Sequence, residues 1–371
     1  MFKIPIQLKI KDITDYLECL APLSQAEEFD NVGLLIGNEQ AEVTGVLVTL
    51  DTLETVVDEA IAKECNLIVS FHPIIFKGLK KITQNTYVER VVTKAIQNNI
   101  AIYSMHTALD NAINGVSGKM AAILSLQNKR ILIPKSNTLK KLSTYVPKAN
   151  ADTLRNALFQ TGAGDIGNYS NCSFNVQGEG TFKANADTNP TIGEKGITHT
   201  EAETLISVIF QSHLEYQILN ALFKAHPYEE VAYEVVQLEN INQNIGMGIV
   251  GSLEKETDAK SFLNLLQNTF KAKGIRHSKL LDKPINTVAV LGGSGSFAIN
   301  AAKKAKADIY VTADLKYHDF FTAENDLVLV DIGHFESEQF TKNLIVDYLT
   351  EKFRNFAIIL SKTNTNPINY F

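Results

Sequence analysis

Between residues 43 and 133, short apolar runs alternate with segments of helical periodicity. "VTGVLVTL" reads as a strand, "LETVVDEAIAKE" as an amphipathic helix, "LIVSF" as a strand, "YVERVVTKAIQNN" as a helix and "IAIYSM" as a strand. Strands that are apolar along their whole length need cover on both faces, so this βαβαβ order predicts an α/β fold with a mostly parallel sheet flanked by helices. The alternation resumes near the end of the chain with strand "TVAVL", helix "FAINAAKKAKA", strands "DIYVT" and "LVLVDI", and helix "EQFTKNLIVDYLTEKF". Between them, residues 139–238 read as strand "KLSTYVP", helix "DTLRNALFQTG", strands around "CSFNVQGEGTFK" and "ETLISVIFQ", helix "LEYQILNALFKA" and strand "VAYEVVQL". That βαββαβ order is ferredoxin-like, and its first and last strands are neighbours, so the module can sit in a loop of a host. The expectation is a discontinuous α/β host domain, residues 1–136 and 241–371, interrupted by an inserted α+β ferredoxin-like module, residues 137–240.

A chain of 371 residues has room for two cores, and 45% hydrophobic with 20% charged residues is ordinary for a globular protein. The net charge of -6, without a Lys/Arg run longer than a pair, argues against a grip on nucleic-acid phosphates. Cys19, Cys65 and Cys172 are far apart with no CxxC spacing, which argues against a disulfide framework and against a thiolate zinc site and fits a reducing cytoplasm. Neither a signal-length apolar run at the start nor an 18-residue apolar window is present, so a secreted or membrane-spanning protein is not expected.

Ligands of parallel α/β sheets gather at the carboxyl ends of the strands. Asp51 follows "VLVTL", His72 follows "LIVSF", His106 and Asp110 follow "IAIYSM", and His334 and Glu338 follow "LVLVDI". His334 and Glu338 are four apart, one turn of a helix expected to begin near Phe335 and to turn Phe340, Leu344, Ile345, Tyr348 and Leu349 inward. Such a pair can bind one divalent cation, or its carboxylate can bridge two. A mixed His/Asp/Glu set without Cys suits Zn, Mn, Fe or Ni. Each residue has a plainer reading: His72 before Pro73 as a loop residue, His334 with Glu338 as an exposed helix-start pair. Their joint occurrence with Asp110 at strand ends favours a site.

The loop "GGSGS" follows "TVAVL" and opens a helix, a geometry in which Gly292, Gly293, Ser294 and Gly295 could offer N–H groups to an anion. It has neither the Rossmann spacing nor the phosphate-loop Lys, and the same glycines serve a tight turn equally well.

The segments "EEFDNVGLLIG", "IVSFHPIIFKG", "SMHTALDNAINGV", "VAVLGGSGS", "VTADLKYHD" and "DIGHFESEQF" together resemble the Nif-three-like dinuclear metal-centre family, also labelled GTP cyclohydrolase I type 2 homologues. "GAGDIGNYSNCSF", "GEGTFKANADTNPTIG" and "KAHPYEEVAYEVVQL" resemble the PII-like, or CutA-like, module inserted in longer members. The resemblance implies a homohexameric ring with paired metals. It implies metal ligation by His72, Asp110, His334 and Glu338, with Glu338 bridging. The family's motif has two successive histidines before proline; this chain has Phe71 at the first. One tight divalent metal and a second, weak one are therefore expected, unless His106 substitutes.

That resemblance implies two alternative functions. The first is a metal-dependent hydrolase of a purine nucleotide or related heterocycle, with His106 or His318 as proton carrier. The alternative is a metal-binding regulatory or carrier protein whose PII-like insert senses a ligand or partner through a surface such as His226-Pro227-Tyr228-Glu229-Glu230.

Overall fold

The computed structural model describes residues 8–371, and the chain divides into two compact units, Met1–Pro134 with Gln243–Phe371, and Lys135–Asn242. Among the described residues the architecture is mixed α/β with three sheets.

In the first unit, a five-stranded sheet runs in the order Gly33–Ile36, Ala101–Ser104, Leu67–Ser70, Val46–Thr49, Ile358–Leu360. The last four are mutually parallel, and Gly33–Ile36 is an antiparallel edge. Every residue of Val46–Thr49, Leu67–Ser70 and Ala101–Ser104 is buried, as wholly apolar runs require. One face is covered by helices Glu54–Ala62 and Tyr87–Gln97 through Val56, Val57, Val91, Val92 and Ala95. The Thr86 hydroxyl starts the second of these helices by accepting the Glu89 N–H at 3.2 Å. The other face packs on Ile10–Leu20 and Thr341–Lys352 through Ile13, Leu17, Ile345 and Leu349.

A second sheet of six strands runs Arg276–His277, Val328–Asp331, Ile309–Ala313, Ile285–Ser294, Gly246–Thr257, Gln127–Pro134. Its central three strands are parallel and its outer ones antiparallel. Thus the two halves of the alternating pattern build two sheets, not one. The antiparallel strands Gln127–Pro134 and Gly246–Thr257 escape a periodicity reading because their apolar runs are short: "QNKR" is exposed and only Ile131 and Leu132 are buried. The helix expected from Phe335 onward is also two helices, His334–Glu338 and Thr341–Lys352, and of its expected inward residues Ile345 and Leu349 are fully buried.

The second unit has the order strand Leu139–Pro147, helix Ala151–Phe159, strands Phe174–Lys183 and Thr198–Gln211, helix Glu215–Ala225, strand Tyr233–Leu238. Leu139–Pro147 pairs antiparallel with Thr198–Gln211 on one side and with Tyr233–Leu238 on the other. Both helices cover one sheet face, with Leu154, Leu158, Ile218 and Leu222 against Leu142, Ile206, Val208 and Phe210. Among the described residues no helix is long and apolar enough to cross a membrane.

Candidate metal centre

Carboxyl ends of parallel strands from both sheets of the first unit converge on one point. His72 follows Leu67–Ser70, and its backbone is held by an N–H bond to the Leu50 carbonyl at 2.9 Å and by the Ser70 hydroxyl, which donates to its carbonyl at 2.8 Å. His334 and Glu338 bound the five-residue helix that follows Val328–Asp331. Glu338 Oε2 lies 3.2 Å from His72 Nε2 and 3.2 Å from His334 Nε2. That oxygen is buried and makes no hydrogen bond of acceptable geometry, so three donor atoms converge on a common centre without satisfying one another.

The far side of each ring explains why. His72 Nδ1 is 2.8 Å from Asp51 Oδ1, and His334 Nδ1 is 2.7 Å from Asp314 Oδ2. Asp51 is itself oriented by the Thr365 hydroxyl, which donates to its Oδ2 at 2.6 Å. A carboxylate on Nδ1 fixes the tautomer with the lone pair on Nε2 and raises its basicity, the arrangement by which proteins aim imidazoles at cations. An orphaned buried carboxylate oxygen between two such nitrogens fits a divalent ion.

Electrostatics agree. Burial opposes charge on His72, but the hydrogen bond to Asp51 and the carboxylate of Glu338 3.2 Å away overcome it and push its pKa up to about 10. Burial likewise opposes charge on His334, and Asp314 with Glu338 push it to about 11. Glu338, against its own burial, is held down at about 2 by His334 and His72. Without a cation, protons do the neutralising.

Asp110 ends the helix His106–Asp110 that follows Ala101–Ser104. It lies outside the tight group of three but senses it: burial and the charge of Glu338 raise its pKa well above the ordinary carboxylate value. The Asp110 carboxyl makes no hydrogen bond among the described residues, which leaves it available as a further ligand. His106 stands beside the group, its ring centroid 5.4 Å from that of His72, with Nδ1 2.8 Å from Asp30 Oδ1. Three histidines thus share one device, an aspartate on Nδ1. His318 is not brought to the group; it is exposed, and its ring contacts among the described residues are Tyr317 and Phe321.

Phe71 is wholly buried in the core of the five-stranded sheet, its ring centroid 4.9 Å from that of His72. The anion-binding reading of Gly292, Gly293, Ser294 and Gly295 gives way to another. Gly293 donates its N–H to Ser337 Oγ at 2.9 Å, Gly292 to Ser117 Oγ at 3.4 Å and Gly295 to the Ala313 carbonyl at 3.4 Å, while Ser294 is paired with Ala313 in the sheet. The N–H groups of the three glycines are thus spent within the protein. What the loop needs glycine for is proximity: at Gly293, φ is +68° and a Cβ would fall 2.3 Å from Glu338 Oε1.

Of the positioning carboxylates, Asp51 is legible at a strand end, whereas Asp30 and Asp314 escape a sequence reading as partners of histidines. Asp314 directly follows Ile309–Ala313, so the strand-end rule applied to that strand would have found it.

Comparison with known proteins covers almost the whole chain. The family model described as Duf34/NIF3 (NGG1p interacting factor 3) matches residues 8–367. A relative from Bacillus subtilis, named "GTP cyclohydrolase 1 type 2 homolog", is 38% identical over 366 residues, spanning 97% of this chain and 98% of its own. A Halalkalibacterium halodurans protein of the same name is 36% identical, across 96% of this chain and 98% of its own. Among solved structures, a Bacillus cereus protein related to NIF3 aligns with a TM-score of 0.87 at 37% identity, covering 98% of this chain and all (100%) of that one. With family motif, relatives and architecture in agreement over nearly its full length, the chain belongs to the DUF34/NIF3 family.

Proposed function

We propose that the chain is a divalent-metal-binding protein acting as a metal-dependent hydrolase on a purine nucleotide or related heterocycle. One observation carries the metal reading: the unsatisfied Glu338 Oε2, 3.2 Å from the Nε2 atoms of His72 and His334, each ring fixed from behind by an aspartate. His72, His334 and Glu338 would hold the ion, with Asp110 as a further donor, and Zn, Mn, Fe or Ni suits that donor set. A cation so held supplies Lewis-acid polarisation of a bound oxygen and lowers the pKa of bound water toward neutrality. The substrate class follows the relatives' name, "GTP cyclohydrolase 1 type 2 homolog".

The chain's own contribution to proton movement is the His106–Asp30 pair. Although burial opposes it, hydrogen bonds from His106 and Thr107 hold the Asp30 carboxyl down at about 2, so it stays ionised and fixes His106 Nδ1 as a donor. His106 Nε2 is then the atom that takes or gives a proton. A second metal position would find only Glu338 to share, because His334 Nε2 already serves the first ion, its Nδ1 is held by Asp314 and Phe71 offers no donor, so a second ion binds weakly. The Lys135–Asn242 unit, by its βαββαβ order and antiparallel sheet, we read as the ferredoxin-like, PII-like module, and the assembly as a homohexamer measurable by light scattering.

GTP turnover that needs added metal and disappears in Glu338→Ala supports this function. Tight metal and GTP binding without turnover sinks the hydrolase and leaves a metal-dependent regulatory or carrier protein.

A further inference from the structure

The Lys135–Asn242 unit has a cavity of its own, about 610 Å³, on the sheet face that its two helices leave uncovered. Strand alternation explains its position: Ile206 and Val208 point to the helices, while Glu203 and Leu205 point the other way, beside Tyr145 of the neighbouring strand. Apolar walls come from Val176, Phe182, Ile192 and Leu205, with the Tyr228 ring 5.8 Å from that of Phe182. The far wall is fixed by two bonds: the Asn189 N–H to Glu229 Oε1 at 2.8 Å and the Thr191 hydroxyl to the Pro227 carbonyl at 2.9 Å.

Within these walls lies Glu203, only 8% exposed. Its Oε1 accepts the Tyr228 hydroxyl at 2.9 Å, and its Oε2 has no hydrogen bond among the described residues. Gly180 is the reason that oxygen has free space: a Cβ there would fall 2.1 Å from Oε2, although the backbone at this position is an ordinary strand that any residue could adopt. Glu179, Glu229 and Glu230 add three more carboxylates to the lining against one basic residue, Lys183, which makes no ion pair with Glu203 among the described residues. A buried carboxylate without a counter-charge, in a mostly apolar cavity of ligand size, is an incomplete arrangement.

We propose that this cavity binds a small organic cation, a primary amine or guanidine on an apolar body. The cationic head bonds to Glu203 Oε2, and the body lies against Phe182 and Tyr228, whose ring faces also favour positive charge. An anionic nucleotide meets four carboxylates. A transition-metal ion finds no histidine or cysteine in the lining. The site is independent of the metal centre and stands whether or not that centre is catalytic.

Calorimetric titration of the full chain with tyramine and agmatine, and with 4-hydroxyphenylacetate as the anionic match of tyramine, tests the proposal. Binding of at least one amine roughly tenfold or more tighter than the carboxylate is expected. Glu203→Gln keeps the shape, removes the charge, and should weaken that amine by roughly tenfold or more with an unchanged melting temperature. Should Glu203→Gln fail to fold, Gly180→Ala, which crowds Oε2, should give the same loss. Amine binding that is absent up to ~1 mM, no stronger than that of the carboxylate, or untouched by either variant overturns the proposal. So does zinc chloride binding that Glu203→Gln abolishes in a chain that ignores the amines.

Discussion

Glu338 Oε2 stands equidistant, at 3.2 Å, from the Nε2 atoms of His72 and His334, and neither contact has the geometry of a hydrogen bond. Removing that oxygen's charge should therefore cost both functions it serves. Glu338→Gln leaves two half-buried imidazoles without their carboxylate. The metal-free chain should lose about 3 kcal/mol of stability. In addition, NMR titration should show the pKa values of both rings falling. Metal content by elemental analysis should drop to background; a variant that retains its metal after dialysis would remove Glu338 from the centre.

Metal uptake should depend steeply on pH. His72 and His334, at about 10 and about 11, both carry protons near neutrality in the metal-free chain, and a cation must displace them. Affinity should rise by up to about 100-fold per pH unit between pH 6 and 8, two protons leaving per ion. Affinity that is flat over that range would show that the ion binds elsewhere.

The same groups set the stability of the metal-free protein. The raised imidazole values contribute stability that is complete below the ordinary 6.5 and fades as pH climbs toward 10 and 11. Raised Asp110 acts in the same direction, since its buried carboxyl prefers to stay protonated. Glu338, depressed to about 2, contributes above its ordinary 4.5 and loses that contribution as acid approaches 2. Melting temperatures of the metal-free chain should decline from pH 6.5 into alkali, and metal loading should flatten the decline.

Asp51→Asn and Asp314→Asn test positioning rather than ligation. Each keeps an acceptor for the ring Nδ1–H but weakens the electrostatic support, and metal affinity should fall about 10- to 100-fold while the fold persists. Equal affinity in both variants would reduce these aspartates to surface partners.

Gly293→Ala should be worse than its single methyl suggests. It adds backbone strain at φ +68° and drives a Cβ to 2.3 Å from Glu338 Oε1. A loss of roughly 2 kcal/mol, together with lost metal, is expected. Gly178→Ala, with nothing within 4 Å of its Cβ, is the control for a neutral change.

Phe71→His addresses stoichiometry. Its ring lies 4.9 Å from His72 and 5.6 Å from His106, centroid to centroid. An imidazole there should cost the metal-free form roughly 2 kcal/mol as a buried polar group and add a second retained ion per chain. Unchanged metal content would show that the neighbourhood has been rebuilt around the phenyl ring.

Much of the site is readable from residues. The runs "VLVT", "LIVS" and "AIYS" are apolar throughout, so they have to be covered strands, and the residues just past each have to lie at a sheet edge. His72, His334 and Glu338 are found that way. The division into two sheets is not, because a strand's own pattern does not name its pairing partner. Nor is the support of His106 by Asp30, a bond between residues 76 apart. The break after Glu338 hides inside an amphipathic pattern that runs across it. At "GGSGS" one sequence suits both an anion nest and a close approach, and only the neighbour across the gap, Glu338, decides between them.

The donors of the centre come from opposite sides of the 135–242 segment: His72 from before it, His334 and Glu338 from after it. An ion bound there would join positions separated by more than half the chain, a removable clip that favours the folded state by mass action rather than by restricting the unfolded polymer. The unit between those positions is tethered at both ends while its own sheet stays free of the clip. Chelation should therefore lower the mechanical force needed to pull the two termini apart, and leave the unfolding signature of residues 135–242 unchanged.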